Sequence, residues 1–228
     1  MKQGLKIVAL NAALSGVLLA PVTASALDMA ILPRVNVPVT SLKDMKFKRT
    51  TRQEYDYSCG AAALATLLSH HYNTPTPEQT VFQQMYANGD QPKIHKEGFS
   101  MLDMQRFLAT RGFRADGFKL PIEQLIAEKL PAIVLITDRG FNHFVVIKGS
   151  EDGRILLGDP STGNRVVSMA RFQEIWRNKL LFVIHSHKDG VAFNMPEDWR
   201  GAPRAPLGTG MHQDQLSASL PKFGPGDF

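Results

Sequence analysis

The chain changes its hydrophobic pattern partway along, and that change limits the folds open to it. The first half reads as short helices, whereas beyond about residue 130 the apolar residues gather in short runs rich in β-branched and aromatic side chains. A helix is predicted from about Cys59 to His71 and ends at Asn73-Thr-Pro75-Thr-Pro77. Thr76-Pro77-Glu78 opens a second helix to about Ala87, and Asn88 to Gly98 reads as a polar loop. Ser100, with Asp103 at the capping-box position, starts a third helix to about Thr110, which Arg111-Gly112 closes. Strands are predicted at Ala132–Ile136, Phe144–Ile147, Arg154–Leu157 and Leu181–Ile184, with a turn from Gly149 to Gly153 and a short helix from Ser168 to about Asn178. Helices first and strands later predict an α+β domain, with N-terminal helices packed on one side of a C-terminal antiparallel sheet.

The N-terminus reads as an export signal. Lys2 and Lys6 precede an apolar stretch from Ile7 to Ala20, Pro21 breaks it, and Ala24-Ser25-Ala26 supplies the small residues a signal peptidase needs. The apolar stretch is shorter than the roughly 20 residues that span a bilayer, so cleavage after Ala26 is expected, with an uncleaved anchor as the alternative. Residues 27–49 are read as an N-terminal arm, with Val35–Val39 as a short edge strand, and 50–189 as the functional domain. Residues 190–228, rich in Pro and Gly, are expected to form an extended or disordered tail. Loss of Lys2 and Lys6 lowers the formal charge from +5 to +3, too little to argue for nucleic acid as a partner. No Cys/His spacing of metal-binding type occurs, and no metal or cofactor is expected. His70 and His71 are read as surface cations at a helix end.

Export makes the single cysteine informative, because an unpaired thiol in an oxidising compartment is a liability unless it is buried or useful. Cys59 lies where a polar stretch turns into the small-residue helical run Gly60-Ala61-Ala62-Ala63-Leu64, so its sulfur sits near a helix N-terminus, which favours a thiolate. A thiol nucleophile needs a base, a group that orients the base, and donors for the oxyanion. His143 stands at the start of a strand otherwise apolar, and Asp159 follows the next strand in Gly158-Asp159-Pro160. Adjacent antiparallel strands bring the start of one and the end of the next to the same sheet edge, which is where a carboxylate must be to hold an imidazole. Gln53 lies six positions before Cys59, and its amide is a candidate donor to the oxyanion beside the Cys59 N–H. Singly these residues have ordinary explanations: a small buried hydrophobe, a structural histidine, a turn. Together they fill every role of a cysteine hydrolase.

Gln53, Cys59-Gly60-Ala61-Ala62-Ala63-Leu64, His143-Phe-Val-Val and Gly158-Asp159-Pro160 resemble the peptidase C39 family, over about residues 50 to 185. The resemblance implies a papain-like fold and a cysteine endopeptidase with Cys59, His143 and Asp159 as its triad and Gln53 lining the oxyanion hole. Transporter-borne members commonly carry Asp where this chain has Ser58, and no Walker-type phosphate loop or membrane helix is present. The layout therefore resembles stand-alone exported members that serve functional-amyloid (Fap) secretion systems. That implies a periplasmic protease acting on an extended protein or peptide, such as amyloid subunits or other Fap components, alongside a membrane-associated secretion partner. Two other functions fit the same residues: a catalytically idle peptide-binding or chaperone module of the same fold, and acyl transfer to an amine.

Overall fold

The computed structural model describes residues 41–202. Its helices are α1 (Leu42–Phe47), α2 (Cys59–His71), α3 (Glu78–Asn88), α4 (Gln91–Glu97), α5 (Met101–Thr110), α6 (Ile122–Ala127), α7 (Met169–Ile175) and α8 (Pro196–Arg200). Its strands are β1 (Ala115–Phe118), β2 (Ala132–Asp138), β3 (Phe141–Glu151), β4 (Arg154–Asp159), β5 (Gly163–Ser168) and β6 (Leu181–Ile184). The export signal, the Val35–Val39 segment and residues 203–228 lie outside the described residues.

Helix α2 sets the layout. Its alanines combine high helix propensity with little bulk, and every residue from Cys59 to Leu68 is buried. The helix can therefore settle onto the sheet and beneath α3 and α5 at once. Gly60 shows how close the approach is: a Cβ there would lie 3.2 Å from Phe99 Cβ and 3.5 Å from the Phe144 ring. The α5 helix opens on the expected capping box, with the Asp103 N–H donating to Ser100 Oγ and the Ser100 N–H donating to the Asp103 carboxylate. The stretch expected as a polar loop contains α4 instead. Its signals are local: Asp90 accepts from the Lys93 N–H, Pro92 sits in the first turn, and Gly98 ends the helix at φ +79°.

The six strands described form one antiparallel sheet in the order β1-β6-β2-β3-β4-β5. The expectation of helices on one side only is corrected. Ile133, Val146 and Phe182 face α2, α3 and α5, while Val134, Val145, Ile147 and Leu157 pack against Ile122 of α6, Phe172 of α7 and Trp176 just past its end. The reason is legible in the strands, which are continuous apolar runs rather than alternating ones and so need cover on both faces. Strands β3 and β4 also extend past their predicted limits and meet at a two-residue turn, Asp152 (φ 50°) and Gly153 (φ 68°), with a bulge between Ile147 and Gly149. The short β1 and α6, and β5 between the Thr162-Gly-Asn164 turn and α7, were not predicted.

Residues on both sides of the expected 50–189 domain also pack on the sheet, as far as residue 202. The α1 helix covers the β5 edge, where Gly163 (φ 80°) lies so close to the Lys46 backbone that a Cβ would come within 2.8 Å of its carbonyl oxygen. After β6, the Asn194 side chain brackets the bulge, accepting from the Ser150 N–H at 2.8 Å and donating to the Ser150 carbonyl at 2.7 Å. His71 is buried rather than a surface cation; burial pushes its pKa down to about 3, and Nδ1 lies 2.6 Å from the Ala192 carbonyl. Asp198 of α8 then reaches fully buried Lys148 of β3 at 2.6 Å and Arg49 at 3.0 Å. Lys148 also donates to the Arg49 carbonyl and to Asn164 Oδ1. Among the described residues no helix is long and apolar enough to cross a membrane.

Asp198→Ala strands two cations, one of them with no exposed surface. It is expected to cost about 3–5 kcal/mol in urea unfolding. Lys148→Met should cost less, because Arg49 still pairs with Asp198.

Candidate active site

Cys59 is the first residue of α2 and is 9% exposed. The backbone N–H groups of Phe144, Gly60 and Cys59 itself face its sulfur. The Phe144 contact matters most, because it seats the thiol beside the residue that follows His143. His143 is the third residue of β3, and Asp159 is the last residue of β4 rather than the first beyond it. The register Val146↔Gly158 puts their positions at one edge, and His143 Nε2 lies 3.0 Å from Asp159 Oδ2. A carboxylate only accepts, so a neutral imidazole donates from Nε2 and leaves Nδ1 to meet a thiol proton.

Asp159 is 1% exposed and richly partnered. Its Oδ1 accepts from the Ser161 N–H (2.9 Å), the Ser161 hydroxyl (2.7 Å) and the Thr162 N–H (3.3 Å). Burial works against its charge, but the hydrogen bonds from His143 and Ser161 outweigh it and hold the carboxyl well below the usual carboxylate range. Asp159 is thus ionised whenever the protein is folded near neutral pH.

Gln53 is placed by its backbone, whose N–H donates to the Pro160 carbonyl at 3.1 Å and so ties the loop before α2 to the turn after Asp159. Its amide does not reach toward the sulfur in this structure; it donates to the carbonyls of Tyr55 at 2.9 Å and Asp56 at 3.4 Å. The same Tyr55 carbonyl accepts from the Ser58 N–H and hydroxyl. Phe82 of α3 packs its ring on Tyr55 (5.0 Å between centroids) and Tyr57 (5.9 Å), so the loop is held from both sides.

One electrostatic expectation is corrected. Burial pushes the Cys59 thiol up, the charge of Asp159 adds to this, and the N–H groups at the start of α2 do not overcome it. A helix N-terminus alone therefore does not make a thiolate here. A thiolate requires an imidazolium beside it, and the Asp159 carboxylate is placed to stabilise that cation. Sequence reasoning missed Ser161 and Thr162, although Asp159-Pro-Ser-Thr-Gly163 carries the signature of an Asp side chain folding back on its own turn. It also missed Arg165, whose Nε lies 3.1 Å from Asp159 Oδ2. Among the described residues no three His, Cys, Asp or Glu side chains group as a metal site.

A helix carrying cysteine, laid on an antiparallel sheet that presents a His–Asp pair, is the architecture of a papain-like peptidase domain. Residues 48–188 match the model of the Peptidase C39 family, and the chain belongs to that family. Two proteins named "Probable functional amyloid protease FapD", from Pseudomonas aeruginosa and Pseudomonas fluorescens, are each 40% identical over 146 residues. The match spans 64% of this chain and 64% of the length of each relative. The peptidase domain of Streptococcus ComA, a bi-functional ABC transporter involved in quorum sensing, shares the fold with a TM-score of 0.52 at 22% identity, over 61% of this chain and 98% of that one. A double glycine motif protease from an AMS/PCAT transporter, solved with its leader peptide, gives 0.50 at 25% identity over 59% and 88%.

Because the Asp159 pKa is depressed on folding, its contribution to stability is present above the unfolded value of about 3.9 and is lost as pH falls toward the folded value. Asp159→Asn should therefore flatten the fall in stability below about pH 5, as read from urea midpoints across the acid range.

Proposed function

We propose that the chain is a cysteine endopeptidase, exported to the periplasm, that cuts an extended exported protein or peptide belonging to a functional-amyloid secretion system. The observation that carries the catalytic part is the buried Cys59 sulfur on the Phe144 N–H, one residue from an imidazole already oriented by Asp159. The system is suggested by the likeness to the FapD proteins. The compartment rests on the N-terminal sequence.

In this mechanism substrate binding excludes water from the site, and the Cys59 proton passes to His143 Nδ1. The thiolate attacks the scissile carbonyl carbon, and the negative charge moves to the carbonyl oxygen. The Cys59 N–H and the Gln53 amide, which gives up its long contact with the Asp56 carbonyl, hold that oxygen. The tetrahedral adduct collapses as the carbon–nitrogen bond breaks, and His143 returns the proton to the leaving amine. Water, deprotonated by His143, then attacks the thioester and releases Cys59. Asp159 keeps the ring in the tautomer that makes Nδ1 the shuttle.

The raised Cys59 pKa favours a second reading, an idle module of the same fold that holds an extended peptide without cutting it. Incubation of the mature protein with candidate exported amyloid proteins, followed by mapping of cut sites by mass spectrometry, separates the two. The peptidase is expected to cut, with Cys59→Ala and His143→Ala each losing at least about a thousandfold in rate. Cleavage retained by purified Cys59→Ala protein would refute the assignment.

A further inference from the structure

The Asp159 carboxylate is shared. His143 Nε2 and Arg165 Nε approach the same oxygen, Oδ2, at 3.0 and 3.1 Å. Arg165 stands on β5 opposite Leu157, and its Nε contact is an ion pair without the alignment of a hydrogen bond. Its Nη1 is held at 3.0 Å by Asp138 at the end of β2, and Asp138 is held in turn at 2.9 Å by Arg171 of α7, which also pairs with Glu174. Charges thus alternate from the surface inward: Arg171, Asp138, Arg165, Asp159 and then the His143 ring.

We infer that Arg165 is a positioning residue for the Asp159–His143 pair, neutralising part of the Asp159 charge and so setting the pH range over which Cys59 becomes reactive. The inference rests on the peptidase reading for its consequence in catalysis, although its test does not. Asp159 of β4 bears on the His143 ring directly and on Cys59 of α2 through its charge, and Arg165 of β5 bears on both through Asp159. On the loop before α2, Arg52 lies over the Phe47 ring, Glu54 accepts from Gln79, and Asp56 is exposed. Asp138 acts on the ring through Arg165.

The expected signs follow from Coulomb's law. A cation that offsets the Asp159 charge makes the Cys59 thiol proton easier to lose, so its removal moves the onset of thiol reactivity to higher pH. Removal of Asp138 does the reverse, because Arg165 then spends its charge on Asp159 alone. Two neighbouring substitutions on one ion chain should therefore shift the same profile in opposite directions, which a purely structural role for either residue does not predict.

The single cysteine makes the measurement specific. The rate of Cys59 alkylation by iodoacetamide is followed against pH in the full chain, with circular dichroism confirming that each variant is folded. Arg165→Gln should move the profile up by about one pH unit, Asp138→Asn should move it down by about half a unit, and Arg165→Lys should restore most of the wild-type position. Folded Arg165→Gln protein with an unmoved profile, or shifts of the same sign in both variants, would overturn the inference. Should Arg165→Gln fail to fold, the direction of the Asp138→Asn shift decides alone. Alkylation does not depend on any substrate, so failure to cut peptides would count against the peptidase reading and leave this test intact.

Discussion

The contact between α2 and β3 is the constraint on which the rest depends. A helix with leucines or valines at positions 60 to 63 could not lie this close to the sheet, because Gly60 already sits against Phe99 and Phe144. The closeness is what lets the Phe144 N–H reach the Cys59 sulfur. A chain that buries ten consecutive helical residues has no exposed face to offer, so the sheet below and α3 and α5 beside it are needed to complete the enclosure. Enclosure in turn removes Cys59 from water, and desolvation then opposes its thiolate form.

The Asp159 charge adds to that opposition at the sulfur, yet it also stands ready as a counter-ion for the His143 ring. Three donors from Ser161 and Thr162 saturate one carboxylate oxygen, and a histidine and an arginine divide the other. A carboxylate so well solvated by protein groups stays charged in a buried position, and an imidazolium formed next to it gains a ready counter-ion. The second buried ionic centre, Lys148 with Asp198, Arg49 and Asn164, lies on the same strand as His143. It fastens both flanking segments to β3, so the strand that carries the histidine is held from the end opposite the hairpin turn that precedes it.

Much of the fold was legible because its signals are short-range. The α2 and β6 limits agree with the expected residues, and the Ser100–Asp103 capping box formed as read, since each depends on residues within one or two turns. The α4 helix is equally local, its Asp90 and Gly98 caps prevailing over a polarity that resembles a loop. The second helical layer has no local signal of its own beyond the apolar runs of β2, β3 and β4, which leave no polar face and so need cover on both sides. Residues 190–202 read as tail because they run into a Pro- and Gly-rich stretch with few apolar clusters, yet Asp198 and Asn194 find partners on β3 that composition cannot reveal.

The sequence by itself determined which groups are present and in what order. It carried one thiol at a helix start, one histidine in an apolar strand, one aspartate at the end of the next, and the order of helices first and antiparallel strands later that brings the last two to one sheet edge. Only the tertiary structure decided how those groups behave. It chose Nε2 as the nitrogen facing Asp159, turned the Gln53 amide into its own loop, raised the thiol pKa, and set Arg165 on the carboxylate. The reason is one of range: helix and turn preferences are settled among near neighbours, whereas burial and charge depend on side chains that meet only after the sheet has formed.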